Sequence, residues 1–183
     1  MKSRHQVRSC FWLPIPLEQV WNFSSDPKNI SKISPPFYGL KANASAQLAN
    51  DARFGLHFSP AGIPLPIKWV SKVIEFNPTG PQRLYTEVQE SGPFKFWRHE
   101  HSFEEGFSEV ESAESGKSIK MREGGTWIRD TIDFQLPWGL IGNMAHDLFI
   151  RASLGSLLAY RRKKTWEYLI SPSSLASSAS SLA

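Results

Sequence analysis

The sequence predicts an α+β fold, in which a curved antiparallel sheet of about seven strands grips a long C-terminal helix. Three observations predict it. Seven runs have strand character and turn signals between them. One long segment near the C-terminus has helical length and no internal proline. The order is strand, two short helices, six strands, long helix, which suits a sheet with one face covered by helix. If the sheet curls round that helix, the space between them becomes a pocket.

The first strand is expected over His5 to Leu13, with Val7, Ser9, Phe11 and Leu13 on one side. Pro14 and Pro16 end it. LEQVWNFSSD follows, where Val20, Trp21 and Phe23 give a short amphipathic helix. Asp26-Pro27 can cap and open a second short helix through Ile30 and Ile33, stopped by Pro35-Pro36. Four strands are expected next, at Phe37–Ala44, Arg53–Ser59, Ile67–Phe76 and Arg83–Glu90. Gly92-Pro93 turns the chain into the sixth, Lys95–Glu104. The polar segment Gly106–Glu123 reads as a long hairpin loop or as two extended strand tips, and Thr126–Leu136 as the seventh strand.

The long helix is expected from about Ile141 or Met144 to Ile170. It is apolar nearly all round between Leu148 and Tyr160, so burial from more than one direction is expected. Leu148, Ala152, Gly155, Ala159 and Trp166 form one stripe, whose small residues would let the sheet or a ligand approach. Ile150, Leu154 and Leu157 lie on another side, as core under a loop or as a dimer interface. Residues 1–170 make one domain, and the serine-rich tail 171–183 is expected to be disordered.

Length and composition narrow the function classes. A chain of 183 residues, 40% hydrophobic and 21% charged, suits one globular domain with a sizeable core. The net charge of +4 is mild, and the basic residues are scattered apart from RRKK at Arg161–Lys164, so no nucleic-acid partner is expected. RRKK suits the negative end of the helix dipole, or else transient contact with an anionic membrane surface. The single cysteine, Cys10, excludes an intrachain disulfide and is expected as a small core or wall residue. The N-terminus lacks the apolar run of a signal peptide or span, and a cytoplasmic protein is expected. No nucleophile elbow, dinucleotide fingerprint or P-loop is present.

The stretch GPFKFWRHEHSF, Gly92–Phe103, carries the sharpest signal. Side chains alternate along a strand, so Trp97, His99, His101 and Phe103 share a face, expected inward, and Arg98, Glu100 and Ser102 share the face toward water. On the seventh strand Thr126, Ile128, Asp130, Ile132 and Phe134 share a face, with Asp130 the odd member. A tight turn at Gly92–Phe94 sets Glu87 across from His99. Pairing Phe103 with Thr126 would set His101 opposite Ile128 and His99 opposite Asp130. A carboxylate in an apolar wall needs a partner, and an imidazole supplies one. The cluster can therefore be a buried polar bracket, a grip on a ligand's polar head, or an acid/base pair. As metal ligands the two histidines would need a third donor, Asp130 or Glu87; nothing else resembles a metal site, and no metal or cofactor is expected.

Three blocks carry a resemblance: PIPLEQVWNFSSDPKNISKISPP at Pro14–Pro36, YTEVQESGPFKFWRHEHSFEE at Tyr85–Glu105, and GGTWIRDTIDFQLPWGLIG at Gly124–Gly142, with Arg161 closing the helix pattern. The combination of GPF, W-x-H-x-H-x-F and GT-x-x-x-D resembles the SRPBCC superfamily, the START-like or helix-grip fold. It is most similar to bacterial ligand-binding members described as cyclase/dehydrase-like. The long segment Gly106–Glu123 departs from that family's short loop. The resemblance implies a cavity for a lipid-like or polycyclic molecule, in a fold that hosts both carriers and enzymes. As carrier or sensor, its walls would be Trp97, His99, His101, Phe103, Ile128, Asp130 and Ile132, with Leu148, Ala152, Gly155 and Ala159 from the helix. As a polyketide cyclase or dehydratase, it would use His99 or His101 as acid or base, oriented by Asp130 or Glu87. Pro60–Val70 is either a stiff loop or an apolar lid at the cavity mouth, tipped by Ile63 and Leu65.

Overall fold

The computed structural model describes residues 4–43, 48–58, 67–114, 117–136 and 144–170, with side chains except at 58, 111–114, 117–119, 121 and 144–148. The lid residues 60–66 and the tail 171–183 lie outside the described residues.

Seven antiparallel strands form one sheet in the order β1-β7-β6-β5-β4-β3-β2. They are β1 (His5–Leu13), β2 (Lys41–Asn43), β3 (Arg53–Phe58), β4 (Ile67–Asn77), β5 (Gln82–Ser91), β6 (Phe96–Glu114) and β7 (Lys117–Gln135). Helix α1 (Leu17–Ser24) follows β1, and α2 (Met144–Ile170) closes the chain. Each strand from β2 to β7 pairs with its sequence neighbour, and β1 pairs with β7. Two register irregularities bend β4 against β5, at Val70/Ser71 and at Val73/Glu75, which adds twist and curl to the sheet.

Local chemistry sets the junctions. Pro14 follows the last residue of β1, and the Pro16 carbonyl accepts from Gln19 and Val20 to begin α1. Asp26 Oδ1 accepts the amide of Lys28 at 2.9 Å, and Pro27 opens a 3₁₀ turn over Pro27–Ser31. The glycine-threonine pair on β7 locks the exit of β1. A Cβ on Gly125 would lie 2.1 Å from the Leu13 carbonyl oxygen and 2.8 Å from the Trp12 ring, so only glycine allows this approach. Thr126 Oγ1 then donates to the Ile15 carbonyl at 2.7 Å. Helix α1 docks through Trp21, whose ring meets Phe76, Phe103 and Tyr85.

Several expectations change. The run Phe37–Ala44 is not one strand: Pro36–Tyr38 is a 3₁₀ turn, Gly39 closes it in the left-handed region at φ 52°, and only Lys41–Asn43 pairs in the sheet. Of the two readings of Gly106–Glu123, the extended strand tips hold: Gly106–Glu114 pairs with Lys117–Gly125. That pairing moves the expected β6–β7 register by two residues, to Phe103–Ile128, His101–Asp130 and His99–Ile132. A shift of two preserves parity, so every side chain keeps its face. Cys10 is exposed, because it has the outward parity of β1. Ser102, expected toward water, is buried on its outer face.

Candidate functional site

The concave face of the sheet and helix α2 enclose two hollows. The larger has a volume of about 310 Å³ and is lined mainly by aliphatic and aromatic side chains. Trp69, Trp97 and Ile132 come from the sheet, Leu136 from just past the end of β7, and Ile150, Leu154 and Leu157 from α2. The smaller, about 70 Å³, lies toward α1 and is lined by Phe11, Phe103 and Ile128 among others. Glu87, Leu56 and Arg161 line both.

The polar cluster sits between them. Glu87 stands directly across from His99 in the β5–β6 ladder, as a tight turn at Gly92–Phe94 predicts. Asp130 stands directly across from His101 in the β6–β7 ladder. The two imidazoles lie against each other with ring centroids 3.7 Å apart. One edge of the pair faces Asp130, with His101 Nδ1 at 2.8 Å and His99 Nε2 at 3.3 Å from Asp130 Oδ1. The opposite edge faces Glu87, with His99 Nδ1 at 3.6 Å and His101 Nε2 at 3.9 Å from Glu87 Oε1. Only the first of these contacts has the length of a strong charge-assisted bond. His99 and Glu87 are both buried.

Burial and pairing compete at each group. Burial opposes charge on Glu87 and Asp130, yet the hydrogen bonds and charges of His101 and His99 overcome it and hold both carboxyls below the usual range. Burial likewise opposes protonation of His101, but Asp130 and Glu87 outweigh it and raise its pKa. Tyr85 stacks on His101 at 4.2 Å, and its phenol is pushed well above its ordinary pKa by burial and by the two carboxylates. The cluster is thus an anionic bracket with a proton-binding imidazole held inside it.

Four buried polar atoms along the larger cavity find no hydrogen-bond partner among the described residues. They are Ser34 Oγ, Trp97 Nε1, Glu87 Oε2 and Arg161 Nε. Buried polar atoms are rarely left so. The chemistry available is therefore donor (Trp97, Arg161), acceptor (Glu87) and both (Ser34), in an otherwise greasy hollow.

The expected wall residues of the sheet all reach one hollow or the other. Trp97, His99 and Ile132 line the larger. His101, Phe103, Ile128 and Asp130 line the smaller. The expected helix stripe does not. Ala152 and Ala159 are exposed, Gly155 lines neither hollow, and the Leu148 side chain lies outside the described residues. A Cβ placed on Gly155 would meet nothing within 4 Å. The stripe that does face inward is Ile150, Ser153, Leu154, Leu157 and Arg161. Its spacing of three, four, seven and eleven residues from Ile150 is a clean helical row. That row was present in the sequence, but Arg161 reads there as part of a basic block. Glu87, His99 and His101 are also the described residues that together offer metal-ligand atoms, all within 4.8 Å of one another.

Known structures share this architecture. The crystal structure of Ara h 8.0201 matches with TM-score 0.53 at 8% identity, over 89% of this chain and 98% of the other. Protein CV1439 from Chromobacterium violaceum matches with TM-score 0.55 at 13% identity, over 89% and 95%. TTHA0849 from Thermus thermophilus matches with TM-score 0.51 at 17% identity, over 88% and 97%. No protein-family model and no curated protein matches the sequence. A curled antiparallel sheet closed on a C-terminal helix is a helix-grip fold. That fold is the one the resemblance of the sequence blocks implies. No helix among the described residues is long and apolar enough to cross a membrane.

Proposed function

We propose that the chain encloses a lipid-like or polycyclic small molecule in the larger cavity, as a carrier or sensor of the cyclase/dehydrase-like kind. One observation carries this reading. A hollow of about 310 Å³ with largely apolar walls also holds four unpartnered buried polar atoms. Small-molecule sites have this composition, with apolar walls for affinity and a few polar groups for orientation. A bound molecule carrying a hydroxyl or carbonyl would satisfy groups that otherwise stay bare. Contact with a membrane surface has less support, because Arg161 turns inward and Lys163 and Lys164 engage Glu167.

The test is native mass spectrometry of gently purified protein, alongside Leu154→Trp, which fills the cavity from α2. The expected result is a co-purifying apolar molecule, or saturable uptake of a fluorescent apolar probe, in the parent and not in the variant. A parent that takes up neither, or a folded variant that binds equally well, overturns the reading.

A second reading, an enzyme of the polyketide cyclase or dehydratase kind, has its own support. Asp130 and Glu87 raise the pKa of His101 beside the smaller hollow, which suits an imidazole to exchanging a proton near neutral pH. Turnover of an offered polyketide that is lost in His101→Asn, with binding retained, would favour it.

A further inference from the structure

We propose that Glu87, His99 and His101 form a binding site for a divalent transition metal, with Asp130 as the outer carboxylate that orients both imidazoles. The inference stands on side-chain geometry and does not depend on the identity of the cavity's ligand.

Glu87 Oε1 lies 3.6 Å from His99 Nδ1 and 3.9 Å from His101 Nε2. In a tetrahedral site with bonds of about 2.0–2.1 Å, ligand atoms lie about 3.3 Å apart. A closure of a few tenths of an ångström at each contact brings Glu87 to that spacing, and all three donors already lie within 4.8 Å of one another. The other nitrogen of each ring faces the same acceptor, Asp130 Oδ1, at 3.3 and 2.8 Å. Metal-bound histidines nearly always donate their second N–H to such a group, which fixes tautomer and ring orientation. Here one carboxylate serves both rings and leaves both inner nitrogens free to ligate.

The donor set selects the ion. Two imidazoles and one carboxylate suit zinc, cobalt, iron or nickel, whereas magnesium and calcium prefer oxygen alone. Burial favours occupancy, since Glu87 and Asp130 together carry two negative charges in an apolar wall. Arg161 from α2 lines both hollows beside the cluster, and Tyr85 from β5 stacks on His101. Glu87 Oε2 has no partner and is available for bidentate ligation. Glu87 and His99 also line the larger cavity, so the remaining coordination positions would open onto bound ligand.

The experiment uses untagged full-length protein, stripped with chelator and titrated with Co²⁺, then with competing Zn²⁺. The expected result is one saturating equivalent with visible d–d absorption that Zn²⁺ displaces, and two imidazoles in the X-ray absorption of the Zn²⁺-loaded parent. Glu87→Gln and His99→Asn should abolish saturable binding, and Asp130→Asn should weaken it by roughly 10- to 100-fold while keeping the spectrum. Absence of saturable binding in the parent overturns the proposal. So does parent-like binding by a His99→Asn protein that circular dichroism shows to be folded. If the variants do not fold, the imidazole count in the parent decides: two supports the site, and none overturns it.

Discussion

The two walls of the cavity are built by opposite rules. The sheet wall, from β5 to β7, carries buried charge and neutralises it internally, each carboxylate lying against both imidazoles. The helix wall carries aliphatic side chains and one cation, Arg161, whose Nε has no partner. The charges of the sheet wall are therefore paired among themselves, with Trp97 Nε1 and Glu87 Oε2 left toward the cavity, and disturbing the pairing should cost stability before it costs binding. The helix wall has little internal bonding to lose. Its side chains set the shape and polarity that a guest meets, so changes there should alter binding first.

The largest expected effect is on the sheet side. Replacing His101 with leucine leaves Glu87 and Asp130 facing each other across His99 alone. Breaking a buried ionic cluster by removing one partner costs about 3–5 kcal/mol, readable as a fall in the urea midpoint of chelator-treated protein. The pH profile sharpens the point. Depressed carboxyls at Glu87 and Asp130 contribute stability above the unfolded carboxylate range, and lose it as acid protonates them. The raised pKa of His101 contributes stability below about pH 6.5, lost as pH climbs through its folded pKa. Stability should thus peak between about pH 5 and 6.5 and decline on both sides. The alkaline decline should vanish in His101→Leu. A flat profile in the parent would mean that the cluster is not charged.

On the helix side, Leu154→Ala should cost about 2 kcal/mol, the low end for a buried leucine, because its side chain already borders a void. Its larger consequence should be a looser grip on the cavity's guest, seen as a changed adduct mass or weaker probe binding. Equal binding with a larger stability loss would place Leu154 in solid core.

The same contrast explains what was legible in the sequence. A strand offers two faces, so one improbable pair, His99 and His101 among Trp97 and Phe103, was enough to choose the inward side. Parity also survives a shift of two residues in register, so Asp130 faces inward as expected although it stands across from His101 and not His99. A helix offers a continuous range of faces. With α2 apolar nearly all round, small residues at Ala152, Gly155 and Ala159 suggested close approach, yet two of these are exposed and the third meets open space. Arg161 does not read as a wall residue from sequence, because four basic residues in a row carry no phase; the phase lies in the row from Ile150 to Leu157. The 3₁₀ turn at Pro36–Tyr38 is not legible in the sequence because Phe37 and Tyr38 have strand character locally, and a proline fixes only its own φ.

The smallest effects test the helix face most directly. Gly155→Ala should stabilise the protein by about 0.5–1 kcal/mol, since a mid-helix glycine costs roughly that much and the added methyl meets nothing within 4 Å. Had Gly155 faced the sheet or a guest, the same methyl would clash and the sign would reverse. Ala159→Glu should change stability by no more than about 0.5 kcal/mol, as expected at an exposed site away from special features. It should also leave uptake of an apolar probe unchanged. If it abolished uptake while the fold persisted, α2 would be rotated about its axis, and the aliphatic row ending at Arg161 would no longer be the wall that a guest touches.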